Sequence, residues 1–317
     1  MMKLTMADTA RYLLAQDSFL ILTHRRPDGD TLGSAAALCR GLRSLGKQAF
    51  VLKNPEITPK YQFLLEGLTK DAPEETDVLI AVDVASVGML PQSFSDLAQK
   101  IDLRIDHHGT AESFTKQELV DPAAAACGQI IYDLLTEMGA ELDVPTANAL
   151  YTAISTDTGC FRYANTQPHT FAVAAACAAA GAEVYRLNQL LFETNSLARL
   201  RIQGWMVENA KFIADGKICI CALPLAVEKE IGVTEDDMEN ISGVPRSIEG
   251  VKIAATLRQE KDTGKVKLSI RAVPGYDAGA ICAKFGGGGH KGAAGASMNA
   301  TLEEAVKAVI AQLPVIG

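Results

Sequence analysis

Through residue 185, short apolar runs alternate with Ala- and Leu-rich stretches. "SFLIL", "QAFVL", "DVLIAV" and "DLRI" have the length and content of buried strands, and stretches such as "DTLGSAAALCRGLRSLG" between them read as helices. That alternation predicts an α/β fold whose N-terminal sheet is mostly parallel and flanked by helices. From Val184 to Lys211 the pattern is helical, and residues 186–210 are expected to connect two domains, 1–185 and 211–317. Beyond the connector the pattern changes. "KFIADGKICICAL" and "GVKIAATLRQEKDTGKVKLSIRAV", with a hairpin-like "KDTG", predict a smaller α/β domain on a mixed or antiparallel sheet, and "TLEEAVKAVIAQL" predicts a closing helix.

Composition narrows the class. The 317 residues are 48% hydrophobic and 21% charged, enough to bury two cores. No apolar run reaches the roughly 18 residues of a membrane span. The opening "MMKLTMADTARYLLAQ" reads as an amphipathic helix with Asp8 inside it rather than a signal peptide, so a cytoplasmic protein is expected. Seven cysteines without metal-type spacing read as small buried hydrophobes of a reducing compartment, although Cys219 and Cys221 would share one face of a strand. A net charge of -8 argues against a protein that coats long nucleic acid, which needs a broad basic surface. Residues 240–300 nevertheless hold 9 Lys+Arg against 4 Asp+Glu, a local surface able to hold a few phosphates but not a long polymer.

The candidate chemistry lies where predicted strands end. His24 follows "FLILT", Asp83 follows "DVLIAV", and Asp106, His107 and His108 follow "DLRI". In a parallel sheet, ligands bind just outside the carboxyl ends of the strands, so these residues are expected to converge. Asp28 and Asp30 in "THRRPDGDTLGS" and Asp157 in "ISTDTGCFRYANT" would join them. Asp30 equally suits an N-cap for the helix that follows it. His169 in "NTQPHTF" reads as structural or solvent-facing. Four carboxylates gathered in one cleft repel one another unless cations are present, and two divalent ions balance them. An oxygen-and-imidazole donor set without thiolate favours Mn²⁺ or Mg²⁺ over structural zinc. Such a site generates a hydroxide near neutral pH and clamps a phosphoryl group.

"HRRPDGD", "VDVAS", "DHH" and "STDTGCFRY" together resemble the four successive motifs of the DHH phosphoesterase family. The resemblance implies two Mn²⁺ ions, with Mg²⁺ or Co²⁺ as substitutes. It implies His24, Asp28 and Asp83 as ligands of one and Asp30, Asp83, His107 and Asp157 as ligands of the other, with Asp83 the bridge. It also implies that Asp106 orients its neighbours and that His108 faces the phosphoryl group as hydrogen-bond donor or general acid.

In "KFGGGGHKGAAG" a run of glycines lets backbone N–H groups approach an anion. With His290 at its end and Arg271 on the preceding predicted strand, it resembles the DHH-associated C-terminal domain. That resemblance implies Arg271, Gly287, Gly288, Gly289 and His290 as substrate-phosphate contacts; Arg246 and Arg258 could add to that surface or be solvated charges. Phe161, Tyr163 and Phe285 are candidates for base stacking or for the core. The resemblance covers almost the whole chain and leaves no room for the extra domains of the single-strand exonuclease branch. It implies the compact branch: an oligoribonuclease that cleaves short RNA to mononucleotides and converts 3'-phosphoadenosine 5'-phosphate (pAp) to AMP. The expected ligand is short, spans both domains across a hinge near residues 185 to 205, and is neither long duplex nor membrane. A homodimer is possible through the Ala-rich helix "FAVAAACAAAGAE". A cyclic di-AMP or linear dinucleotide phosphodiesterase is the alternative reading. A nucleotide-binding regulator that does not hydrolyse is the reading from another class, and the full set of ligand positions weighs against it.

Overall fold

The protein is described from a computed structural model covering residues 2–109, 114–261, 263–314 and 316. The chain divides into two compact units, Met1–Thr194 and Asn195–Gly317.

The first unit runs β1 (Met2–Lys3), α1 (Met6–Leu14), β2 (Ser18–Leu22), α2 (Gly29–Ser44), β3 (Gln48–Leu52), β4 (Thr69–Lys70), β5 (Val78–Val82), β6 (Leu103–Asp106), β7 (Gln117–Val120), α3 (Cys127–Glu137), α4 (Val144–Asp157), α5 (Pro168–Ala179) and α6 (Val184–Asn188). Its seven strands lie in the order β1-β7-β6-β5-β2-β3-β4, and every pairing is parallel. β2 and β5 are near-continuous apolar runs because both faces of a parallel sheet are covered. On one face Phe19 and Ile21 join the main core with α1–α4; on the other Leu20 and Leu22 pack with Phe94 and Ala98 of the short helical segment Gln92–Lys100. The chain leaves β2 for β3 on one side and returns to β5 on the other, so the strand order reverses between β2 and β5. Ligands of open parallel sheets bind at such a switch point.

The second unit runs α7 (Leu197–Glu208), β8 (Lys211–Ile213), β9 (Ile218–Leu223), α8 (Leu225–Ile231), β10 (Ile253–Gln259), β11 (Val266–Ala272), α9 (Ala278–Ala283), β12 (Gly288–Gly289), β13 (Ala293–Met298) and α10 (Leu302–Gln312). Its sheet, β12-β13-β11-β10-β9-β8, is mixed: β9 and β10 pair parallel and all other neighbours antiparallel. The α8 crossover and the long segment after it permit the parallel pair, which the apolar runs alone do not distinguish from a hairpin. β10 and β11 do form the expected hairpin, although Asp262 of its "KDTG" turn lies outside the described residues. Thr301 caps α10 in a capping box with Glu304. All seven cysteines are free thiols, and six of them are buried. Among the described residues no helix is long and apolar enough to cross a membrane.

Candidate active site

Asp28 is the N-cap of α2, its Oδ1 accepting from the N–H groups of Asp30 (3.1 Å) and Thr31 (3.2 Å). This leaves Asp30 free of capping its own helix, and it caps another. Asp30 Oδ2 accepts from Cys127 N–H at 2.7 Å and Oδ1 from Gly128 N–H at 2.9 Å, the orphan donors at the start of α3, where Ala126 supplies no side-chain cap. Asp83 follows β5 with φ of 58°, a left-handed backbone that a non-glycine residue adopts only where its surroundings impose it. Asp106 ends β6. Its buried Oδ1 accepts from His107 N–H (2.8 Å), His108 N–H (3.2 Å) and His108 Nδ1 (2.7 Å), which fixes the His108 imidazole and the backbone of both histidines. Asp157 is the last residue of α4, before a left-handed turn in which Gly159, Cys160 and Phe161 have φ of 57°, 59° and 62°. A Cβ on Gly159 would lie 2.3 Å from the Tyr163 ring, so this turn requires glycine on two counts.

Strand ends and helix termini thus bring His24, Asp28, Asp30, Asp83, His107 and Asp157 together. His24 Nε2 lies 3.6 Å from both Asp28 Oδ1 and Asp83 Oδ2. His107 Nε2 lies 3.5 Å from Asp83 Oδ1, 3.7 Å from Asp30 Oδ2 and 3.8 Å from Asp157 Oδ2. Asp83 therefore offers one oxygen to each group. His24, Asp28 and Asp83 present ligand atoms within 4.8 Å of one another, and so do Asp30, His107 and Asp157. Asp83 Oδ1 is buried and accepts no hydrogen bond among the described residues, an unmet acceptor of the kind a cation satisfies.

The protonation pattern reports the same crowding. Burial disfavours a charge on His107, but Asp83, Asp30 and Asp157 outweigh it and push its pKa up to about 9. Burial and then the carboxylates of Asp83 and Asp28 push Asp157 up to about 7, His107 notwithstanding. Asp30 is raised well above the usual carboxylate range by burial and by Asp83. Asp28 goes the other way: against partial desolvation, His24 and the two helix N–H donors hold it down at about 2. Without cations, protons and imidazolium carry the neutralising charge.

Two asparagines that sequence reasoning did not single out support the ligands. Asn54 Nδ2 donates to Thr23 Oγ1 (3.0 Å) and the His24 carbonyl (2.9 Å); Asn165 Nδ2 donates to the Ala125 carbonyl (2.9 Å) and, at 3.2 Å, to that of Asp157. Asn165 lies in "YANT", and only its closeness to Asp157 in sequence hinted at it. A cavity of about 1140 Å³ next to Asn54, lined also by Lys53, Asp71 and Phe94, includes none of the clustered residues.

In the second unit, Arg271 on β11 sits opposite Ala293 in the β13 register, and Ala293 exchanges backbone hydrogen bonds with His290 at 2.8 and 3.2 Å. Gly288 and Gly289 pair with Gly295 and Ala294, so the glycine run forms a tight hairpin beside Arg271. A Cβ on Gly287 would come within 2.1 Å of the Gly295 carbonyl oxygen. Arg258 is not brought to this edge. It lies opposite Lys267, toward the other end of the β10–β11 pair, where its guanidinium is held by Glu228 (2.6 and 2.9 Å) and Glu235 (3.0 and 3.2 Å). Bidentate pairing of that kind makes it a structural cation, a role that differs from both readings its sequence left open, substrate contact and solvated charge. Arg246 is half-buried in the turn Pro245–Ser247. Phe161 stacks on Phe171 at 5.4 Å and packs on the main core, and Phe285 packs on the core of the second unit; Tyr163 remains exposed. His169 is half exposed and meets Asp133 at 3.0 Å.

A parallel sheet carrying an aspartate–histidine cluster at its switch point, followed by a second α/β unit, has clear counterparts. Residues 18–154 match the DHH family N-terminal domain and residues 215–313 the DHHA1 domain. Over 300 residues the chain is 35% identical to the bifunctional oligoribonuclease and PAP phosphatase NrnA of Thermus thermophilus, covering 92% of this chain and 87% of that protein. It is 25% identical over 293 residues to the Bacillus subtilis protein of the same description, covering 91% of each. The crystal structure of an exopolyphosphatase-related protein from Bacteroides fragilis superposes with a TM-score of 0.81 at 25% identity, over 97% of this chain and 94% of that one. The protein is thus an enzyme, a hydrolase of the phosphoesterase class. It belongs to the DHH family, with a DHHA1 domain in its second unit.

Proposed function

We propose that this phosphoesterase hydrolyses short oligoribonucleotides to mononucleotides and pAp to AMP, using two Mn²⁺ ions. The observation that carries the metal assignment is Asp83, whose two carboxylate oxygens face different ligand groups. One ion would be held by His24, Asp28 and Asp83, and the other by Asp30, Asp83, His107 and Asp157. When bound, the pair lowers the pKa of water and neutralises charge on the phosphoryl group. The side chains do the rest. Nδ1–H of His24 donates to the Arg25 carbonyl and that of His107 to the Ala124 carbonyl, which leaves Nε2 of each aimed into the cluster. His108, tied to Asp106 through Nδ1, keeps Nε2 for the reacting phosphoryl group as donor or general acid.

Arg271 and the hairpin Gly287–His290 would give the second unit a phosphate-binding edge, with a charged fork and backbone N–H groups as donors. The substrate choice is supported by the identity to the Thermus protein along nearly the whole chain. Free thiols throughout fit a cytoplasmic setting.

The test follows products from a 5'-labelled RNA dinucleotide, pAp and cyclic di-AMP, each with Mn²⁺ and with EDTA. Mn²⁺-dependent mononucleotide from the dinucleotide and AMP from pAp are expected. Cleavage of cyclic di-AMP alone would replace this reading with second-messenger turnover.

A further inference from the structure

β6 reads "LRID", and all four residues are buried. A cation there is unexpected, because a strand covered on both faces takes apolar side chains. Arg104 is 2% exposed. It lies opposite Glu118 in the β6–β7 register, with Nη2 2.6 Å from Glu118 Oε2. Its other contacts reach the active site from behind. Nη1 donates to the carbonyl of Ala85 at 3.3 Å, two residues beyond Asp83, and lies 3.9 Å from Asp106 Oδ2. The guanidinium sits 5.5 Å from the Phe114 ring centroid. Asp106 Oδ1 is occupied by three N–H groups of His107 and His108, whereas buried Oδ2 accepts no hydrogen bond among the described residues. One rigid fork therefore donates to the segment after Asp83 and faces, as a charge partner at 3.9 Å, the carboxylate that holds the His108 imidazole and the backbone N–H groups of both histidines.

We propose that Arg104 is a positioning residue for the phosphoester hydrolysis: its guanidinium holds the Ala85 carbonyl by a hydrogen bond and the Asp106 carboxylate by its charge, and through them positions Asp83 and His108. The competing account is that Arg104 only neutralises Glu118. The two accounts separate because the pair can be removed together. Breaking a buried ion pair on one side leaves an uncompensated charge, while replacing both partners by apolar groups is often neutral for stability. Positioning, in contrast, is lost in either case.

The inference rests on the phosphoesterase assignment and on His108 facing the reacting group, not on which nucleotide is hydrolysed. Rates are therefore measured on bis(p-nitrophenyl) phosphate as well as on the RNA dinucleotide and pAp, at saturating Mn²⁺. A wild-type enzyme that cleaves only the chromogenic ester would sink the substrate reading and leave the Arg104 comparison intact. Arg104→Met is expected to lower Tm and to reduce kcat about 100-fold with KM within about threefold. The double variant Arg104→Met/Glu118→Leu is expected to regain the Tm and not the kcat. Arg104→Lys keeps the charge but loses the planar fork, and its kcat should fall at least about tenfold. Wild-type kcat in the double variant, or in Arg104→Lys should the other two fail to fold, would overturn the proposal.

Discussion

In the first unit the candidate functional groups are side chains packed against one another. His24, Asp30, Asp83 and His107 are each less than 9% exposed, and each is held by a backbone carbonyl, a helix terminus or a strained turn. In the second unit the corresponding feature is backbone: a hairpin of exposed glycines beside one strand arginine. The first arrangement concentrates charge that only cations or protons can balance, and so suits bond breaking. The second offers donors without concentrated charge and suits recognition. Changes in the two places should therefore separate turnover from binding.

The sharpest break is Asp83→Ala, which removes an oxygen from both ligand groups. It should reduce kcat by at least about 10³-fold on every ester, and near-normal turnover with Mn²⁺ would refute the bridging role. Arg271→Ala should do the converse, raising KM about 10- to 100-fold for nucleotides while kcat changes little. Steady-state kinetics on a nucleotide that carries two phosphates reads both.

A third expectation concerns pH. Asp157 at about 7 and His107 at about 9 are both raised above their ordinary values of 3.8 and 6.5. Their contribution to the cation-free fold is present at low pH and is lost as pH rises through those values. Cation binding needs the same groups deprotonated. The rise in Tm produced by Mn²⁺ should thus be larger near pH 9 than near pH 6, and a flat profile would mean that these groups do not ligate. The smallest effect is expected at His169→Ala, which cuts only a partly exposed pair with Asp133. It should cost under about 1 kcal/mol and leave kcat and KM unchanged.

Much of this was legible because a parallel sheet writes its strands as apolar runs and puts its chemistry directly after them. "FLIL" before His24 and "VLIAV" before Asp83 needed no structural help. β7 escaped for a physical reason: "QELV" carries Glu118, whose burial is possible only because Arg104 faces it across the strand pair, and such pairing is invisible along one chain. Arg258 misled for the related reason that a basic residue in a basic stretch gives no sign of Glu228 and Glu235, which lie some 20 to 30 residues earlier in the sequence and claim it. Of the two roles open to Asp30, capping proved real but belongs to α3, almost a hundred residues further along the chain.

That carboxylate has a practical consequence for anyone seeking an inert enzyme with which to trap a bound substrate. The usual amide exchange, Asp30→Asn, would turn an NH₂ group toward the N–H of Cys127 or Gly128, setting donor against donor at the mouth of a buried helix. A silent chemical knock-out at that position would thus also be a loosened scaffold, and any complex caught with it would portray a different protein. Asp157, which caps no helix among the described residues and is partly open to solvent, is the safer place to disarm the enzyme.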